Sequence, residues 1–278
     1  MVGAVAPIVR GYVAGRYGQV HYRRTGGDTA FGKPVLVLLH QNPSSSLEYV
    51  PLMQALAADR DVVAFDTPGY GMSDAPDAPL SAAGYAACLI EAIEALGLAG
   101  ALGCDVYGYH TGTVLAAEMA IGRPDLVRRL MLSGIPMRTL DDRRVRLATA
   151  VEAPDLDEAG EVALGMARGL WDYVVRKRPA GIALDRAAAL WVDKLTPLAR
   201  AQWAYQAVWG YDFEARLPLV RQPVLLVQAN EELKPHSIAA ALLCADTTII
   251  ELDRYDRDIL VLPDAIADLV PLIRNFLG

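Results

Sequence analysis

The stretch Cys104-Asp-Val-Tyr-Gly-Tyr-His-Thr-Gly-Thr-Val114 limits the possible folds more than any other part of the chain. It opens as a short β-branched and aromatic run, Asp105-Val106-Tyr107, that reads as a buried strand. It then turns sharply through Gly108-Tyr109-His110-Thr111-Gly112 and continues as an apolar helical pattern, Val114, Leu115, Met119 and Ala120, ending at Arg123-Pro124. Glycines two before and two after His110 let strand and helix backbones approach closely. The central residue is then held in a strained conformation with its side chain exposed.

The rest of the chain supplies more units of the same kind. Residues 8–24 follow a two-residue period around a turn at Gly15 to Gly18, which predicts a hairpin with His21 on a sheet surface. Pro34-Val-Leu-Val-Leu-Leu39 and Val62-Val-Ala-Phe65 are continuous apolar runs, typical of strands covered on both faces. Helices are predicted over 47–58 and 81–97, and a further strand over Leu130-Met-Leu-Ser133. From about 138 to 210 only helical periodicity is present, and all four tryptophans (Trp171, Trp191, Trp203 and Trp209) fall there. Strands resume at 223–228 and 247–251, and an amphipathic helix is expected over 263–277. Alternation at this spacing argues for an α/β fold, a mostly parallel sheet with helices on both faces. The core is assigned to 1–137 and 211–278, with 138–210 as a helical cap over a pocket.

At 278 residues and 53% hydrophobic, the chain can bury a large core. A net charge of −7 argues against nucleic acid or an anionic membrane surface as partner. No apolar run is long enough to span a bilayer, and Met1-Val-Gly-Ala-Val-Ala-Pro7 lacks the pattern of a signal peptide. Cys88, Cys104 and Cys244 lie in apolar segments without metal-site spacing, which suits a reducing cytoplasm. His40, His110, His236 and Glu232 have the residue types of a metal site but no ligand spacing, so neither a metal nor another cofactor is assigned. The expected partner is a small-molecule substrate, bound by a monomer or homodimer.

Four motifs in order resemble the α/β-hydrolase superfamily over nearly the whole chain. They are Tyr17-Gly-Gln-Val-His-Tyr22, His40-Gln-Asn-Pro43, Asp66-Thr-Pro-Gly-Tyr-Gly-Met-Ser73 and the turn around His110. The last resembles the G-x-S-x-G nucleophile elbow, with histidine where serine, aspartate or cysteine is usual. The capped branch, with epoxide hydrolases, haloalkane dehalogenases and carbon–carbon bond hydrolases, is the most similar. The resemblance puts His110 in the nucleophile place, Glu232 in the acid place with Glu231 as the alternative, and Arg257 in the histidine place. It makes the backbone N–H groups of Asn42 and Thr111 the oxyanion donors, with Gln41 where glycine is usual. His40, Gln41, Tyr109, Trp171 and Trp203 are the expected substrate contacts.

These substitutions exclude the ordinary serine mechanism, because the hydroxyl is missing and arginine cannot act as a base at working pH. Three readings remain open. His110 can serve as nucleophile or general base of a hydrolase acting on a small apolar or aromatic carbonyl compound or ester, with Arg257 paired to Glu232 or holding an anionic group. The same groups can serve a cofactor-free lyase, isomerase or decarboxylase. The third reading is an inactive homologue that only binds a small molecule. His236 is a substitute base only if it reaches the pocket mouth.

Overall fold

The computed structural model describes residues 7–26, 32–98 and 100–278. The stretch 1–6, most of the segment tested for a signal peptide, lies outside the described residues. The strands are β1 (Ile8–Gly15), β2 (Gly18–Thr25), β3 (Val35–Leu39), β4 (Val62–Phe65), β5 (Cys104–Tyr109), β6 (Val127–Ser133), β7 (Val224–Ala229) and β8 (Thr247–Leu252). They form one sheet in the order β1-β2-β4-β3-β5-β6-β7-β8. The hairpin β1–β2 and the β2–β4 pair are antiparallel, and every later pair is parallel. β3 lies between β4 and β5, with Val37 opposite both Val63 and Val106.

Alternation along β3 divides the core. Val35, Val37 and Leu39 point to one apolar layer, and Leu36 and Leu38 to the other. The first layer is covered by α2 (Ala82–Ala95) and α3 (Thr111–Gly122), the second by α1 (Val50–Leu56) and the final helix, Pro263–Leu277. That final helix buries Ala265, Ile266, Leu269, Val270, Ile273 and Leu277, a single stripe at helical spacing. The helix expected over 47–58 begins as a tighter turn, Ser46–Tyr49, and becomes α-helical only at Val50. Pro51 has no N–H to donate and fits only the first turn of the α-helix. The strand expected at 130–133 is longer, starting at Val127.

Between β6 and β7 the described residues form helices and turns only: α4 (Leu140–Val151), α5 (Glu161–Leu170), a π-helical turn (Trp171–Arg176), α6 (Leu184–Leu195), α7 (Trp203–Trp209) and α8 (Phe213–Arg216). α7 packs on α3 and α4, which brings this helical segment over the C-terminal end of β5. After β7 come α9 (Lys234–Ala241), β8 and the final helix, α10. No described helix is long and apolar enough to cross a membrane. All three cysteines are buried and free.

His21 corrects its expected surface position. It is buried, and its Nδ1 lies 2.8 Å from Asp66 Oδ2. Asp66 also accepts from the backbone N–H groups of Ser46 at 2.7 Å and Met72 at 2.9 Å. Burial alone would raise this carboxyl. The bond from His21, electrostatic attraction to the His40 and His21 rings and the Ser46 bond outweigh it and hold the carboxyl below its ordinary range. The cluster ties the β4 loop to the turn before α1.

Candidate active site

The turn from β5 into α3 has the geometry its glycines imply. His110 has φ 48°, one of only two non-glycine residues with positive φ among those described. A Cβ on Gly108 would lie 2.3 Å from the Gly112 carbonyl oxygen, and one on Gly112 would lie 2.0 Å from that of Leu39. Backbone faces backbone at both places, so no side chain can yield. His110 N–H donates to Ser133 O at 2.9 Å, and its own carbonyl accepts from Thr113 N at 2.9 Å and Thr113 Oγ1 at 2.6 Å.

The imidazole above this turn is fixed on three sides. Its Nε2 is 2.9 Å from Glu231 Oε2, and its ring stacks on that of Tyr109 at 4.3 Å between centroids, 28° from parallel. Its third neighbour is Gly134 at the end of β6, where a Cβ would come within 2.3 Å of His110 Cδ2 and 2.6 Å of Nε2. Glu231 also accepts from Gln228 Nε2 at 3.1 Å. Burial would raise the Glu231 carboxyl, but its electrostatic attraction to His110 and the bonds from His110 and Gln228 hold it below its ordinary range. An ionised carboxylate only accepts, so the proton between the pair sits on Nε2. Nδ1 then carries the lone pair when the ring is neutral, and among the described residues it has no hydrogen-bond partner.

The carboxylate that meets His110 is thus Glu231, the alternative, rather than Glu232. Glu232 is turned outward, its side chain 78% exposed and paired with Arg138 at 2.9 Å. The two are consecutive residues in the turn after β7, so their side chains diverge, and only Glu231 faces β5. Arg257 does line the space beside His110, but it is not paired with Glu232. Its Nε donates to Asp258 at 2.6 Å, its Nη2 donates to Tyr173 O at 2.7 Å, and its guanidinium lies over the Tyr173 ring.

Two adjoining cavities meet at His110. The larger, about 300 Å³, is lined by Gln41, Asn42, Pro43, Thr111, Tyr173, Tyr205 and Trp209 among others. The smaller, about 40 Å³, holds Tyr109, Glu231 and Arg257. A roomier cavity of about 560 Å³ elsewhere, lined by Leu156, Met166 and Trp203, includes neither His110 nor Glu231. Convergence of reactive groups, not size, marks the site. Asn42 and Thr111 face the larger cavity, and their backbone N–H groups make no hydrogen bond among the described residues. No group of three His, Cys, Asp or Glu among the described residues could hold a metal ion.

Three expected contacts are not at the site. His40 is fully buried, with Nδ1 donating to Gln41 O at 2.7 Å and Nε2 accepting from Thr67 N–H at 2.9 Å, so both ring nitrogens are engaged. Trp171 is partly exposed and packs edge-on against Trp191, and Trp203 lines the separate cavity. The aromatics that do face His110 are Tyr173, Tyr205 and Trp209; the last two stack on one face of α7. Their i, i+4 spacing was the available signal. Gln41 adopts no left-handed conformation, so glycine is not needed there, and its N–H and Nε2 donate to Glu48 at 3.0 and 2.9 Å. His236, in the first turn of α9, lines neither cavity.

Comparison with known proteins agrees with this architecture. Residues 34–191 match the family described as the alpha/beta hydrolase fold. The chain is 30% identical over 225 residues to a protein of Oryza sativa subsp. japonica named as a probable esterase, covering 77% of this chain and 79% of that one. The crystal structure of Cfl2 from Burkholderia cenocepacia superposes with a TM-score of 0.79 at 21% identity, covering 99% of this chain and 98% of that chain. An enol-lactonase from Burkholderia xenovorans LB400 does so with a TM-score of 0.76 at 18% identity, covering 96% and 99%. This chain belongs to the α/β-hydrolase family.

Proposed function

We propose that the protein is a hydrolase of esters, lactones or related acyl compounds in which His110, oriented by Glu231, is the central catalyst. The observation that carries this reading is the contact of 2.9 Å between His110 Nε2 and a largely buried carboxylate that His110 and Gln228 hold below its ordinary range. It leaves the Nδ1 lone pair unused on a ring that lines the same cavity as Asn42 and Thr111. In the ordinary triad a carboxylate orients an imidazole that removes a proton from serine. Here the imidazole occupies the nucleophile elbow itself, so Nδ1 takes the proton from a water as that water attacks the substrate carbonyl. The tetrahedral intermediate then collapses, its C–O bond to the leaving group breaks, and the Nδ1–H proton passes to the departing oxygen, restoring the neutral ring. The Asn42 and Thr111 N–H groups form the oxyanion hole, a preorganised term that often dominates such catalysis. The helices between β6 and β7 act as a cap, closing Tyr173, Tyr205 and Trp209 over the substrate. A carboxylate kept ionised and aimed at His110 is not what decay of an unused site leaves behind.

Support also comes from the esterase and enol-lactonase named above, whose names describe carbonyl–oxygen bond cleavage. The test is hydrolysis of p-nitrophenyl acetate and butyrate by wild type beside His110→Ala, measured as release of both acid and p-nitrophenol. Release by wild type that His110→Ala lowers by about 10²-fold or more supports the reading. Equal rates for the two proteins overturn it.

A further inference from the structure

The charged residues lining the larger cavity are all of one sign. Arg138, Arg146 and Lys194 face it, and no aspartate or glutamate is among its lining residues. The chain as a whole carries a net charge of −7, so a wholly cationic lining is not inherited from composition. Arg138 and Arg146 are partly neutralised from outside, Arg138 by Glu232 at 2.9 Å and Arg146 by Asp142 at 3.0 Å. Lys194 is different. It is only 9% exposed, forms no ion pair among the described residues, and donates to a single backbone carbonyl, Pro43 O, at 2.9 Å. Two of the three ammonium donors are therefore unspent. Arg138 adds a buried Nε with no partner.

A buried ammonium without a direct ion pair is costly. The carboxylates nearby are each held by other groups: Asp193, the preceding residue, which feels the Lys194 charge, by Ser45, and Glu48, in the smaller cavity, by the neutral donors Gln41 and Ser44. Glu231 is paired with His110, and Asp258 with Arg257. Lys194 borders both cavities, as does His110, so an anion held by Lys194 sits within one small molecule's length of the catalytic ring. A volume of about 300 Å³ admits only a small ligand.

We propose that the substrate carries an ionised carboxylate besides its scissile acyl group, and that Lys194, with Arg138 beside it, binds that carboxylate. The substrates are then half-esters, or lactones and amides with a free carboxyl group. This rests on the hydrolase reading for its scissile bond but not for its anion site.

Titration calorimetry at pH 7 with monomethyl glutarate and its neutral counterpart dimethyl glutarate tests the anion site without requiring turnover. The monoanion binds wild type about ten- to a hundredfold more tightly than the diester, the range of a hydrogen bond to a charged group. Lys194→Met abolishes that preference, and Arg138→Gln reduces it. Should Lys194→Met fail to fold, Arg138→Gln and salt keep the test decisive: added NaCl weakens the monoanion and leaves the diester unchanged. Equal affinities for the two ligands, no binding of the monoanion at millimolar concentration, or a preference that survives Lys194→Met overturns the proposal. A preserved preference in a protein that hydrolyses neither p-nitrophenyl esters nor monomethyl glutarate removes the hydrolase reading and leaves the anion site standing.

Discussion

Substituting Gly134 by alanine isolates the positioning of His110 from its chemistry. The added methyl would lie 2.3 Å from His110 Cδ2 and 2.8 Å from Glu231 Oε1. Non-bonded carbons rest about 3.5–4.0 Å apart, so the imidazole must withdraw by roughly 1 Å or more. That breaks the 2.9 Å contact to Glu231, and a displacement of about 1 Å at a reacting group costs on the order of 10²-fold in rate. The stability cost is small by comparison. Alanine at φ 72° is strained by roughly 1–2 kcal/mol, and the stiffer unfolded chain offsets about 0.4–1 kcal/mol of that. The melting temperature then falls by only about 1–5 °C. The assay is p-nitrophenyl acetate hydrolysis beside thermal unfolding, with the expected signature a large loss of kcat in a protein that still melts cooperatively. A folded Gly134→Ala protein with activity within about threefold of wild type refutes the placement of the catalytic ring against Gly134.

Other outcomes follow from the same geometry. Glu231→Gln lowers kcat/KM by about 10²- to 10⁴-fold because an amide does not stabilise the imidazolium formed in the transition state, whereas Glu232→Gln, at the exposed position, stays within about twofold; steady-state kinetics on both distinguishes them. Because the folded state holds Glu231 below its ordinary value of 4.5, its contribution to stability is full above that value and fades as pH falls through the folded value. In urea unfolding, the stability gap between wild type and Glu231→Gln therefore narrows from pH 6 to pH 4. Gly112→Ala, whose methyl would meet the Leu39 carbonyl oxygen at 2.0 Å, loses about 3 kcal/mol or more, seen as a collapse of the urea midpoint or failure to fold.

The parts legible in the sequence were those set by local pattern. Apolar runs such as Val35–Leu39 announce a sheet covered on both faces, and Gly108 and Gly112 announce the sharp turn, because only short-range sterics are involved. The sequence cannot tell which of Glu231 and Glu232 faces His110, because they are chemically identical neighbours and only the direction of the turn after β7 separates them. Trp203 was a plausible pocket residue by type, yet it lies two positions before Tyr205, roughly 200° round the helix, on a face that looks into another cavity. His21 depended on Asp66, 45 residues away, and Gly134 on a ring held by a different strand. Lys194 was silent because a lysine's meaning depends on which acids surround it, and that is a property of the folded cavity.

The most direct measurement of the central claim is rescue by a diffusible base. His110→Gly keeps a residue suited to φ 48° while removing the imidazole, so the turn is retained and the catalyst is lost. Added imidazole then restores p-nitrophenyl acetate hydrolysis to His110→Gly in a saturable manner, above the rate of imidazole alone, and leaves wild type unchanged. Hydrolysis by His110→Gly at the wild-type rate without imidazole contradicts the account, since the catalyst would then lie elsewhere.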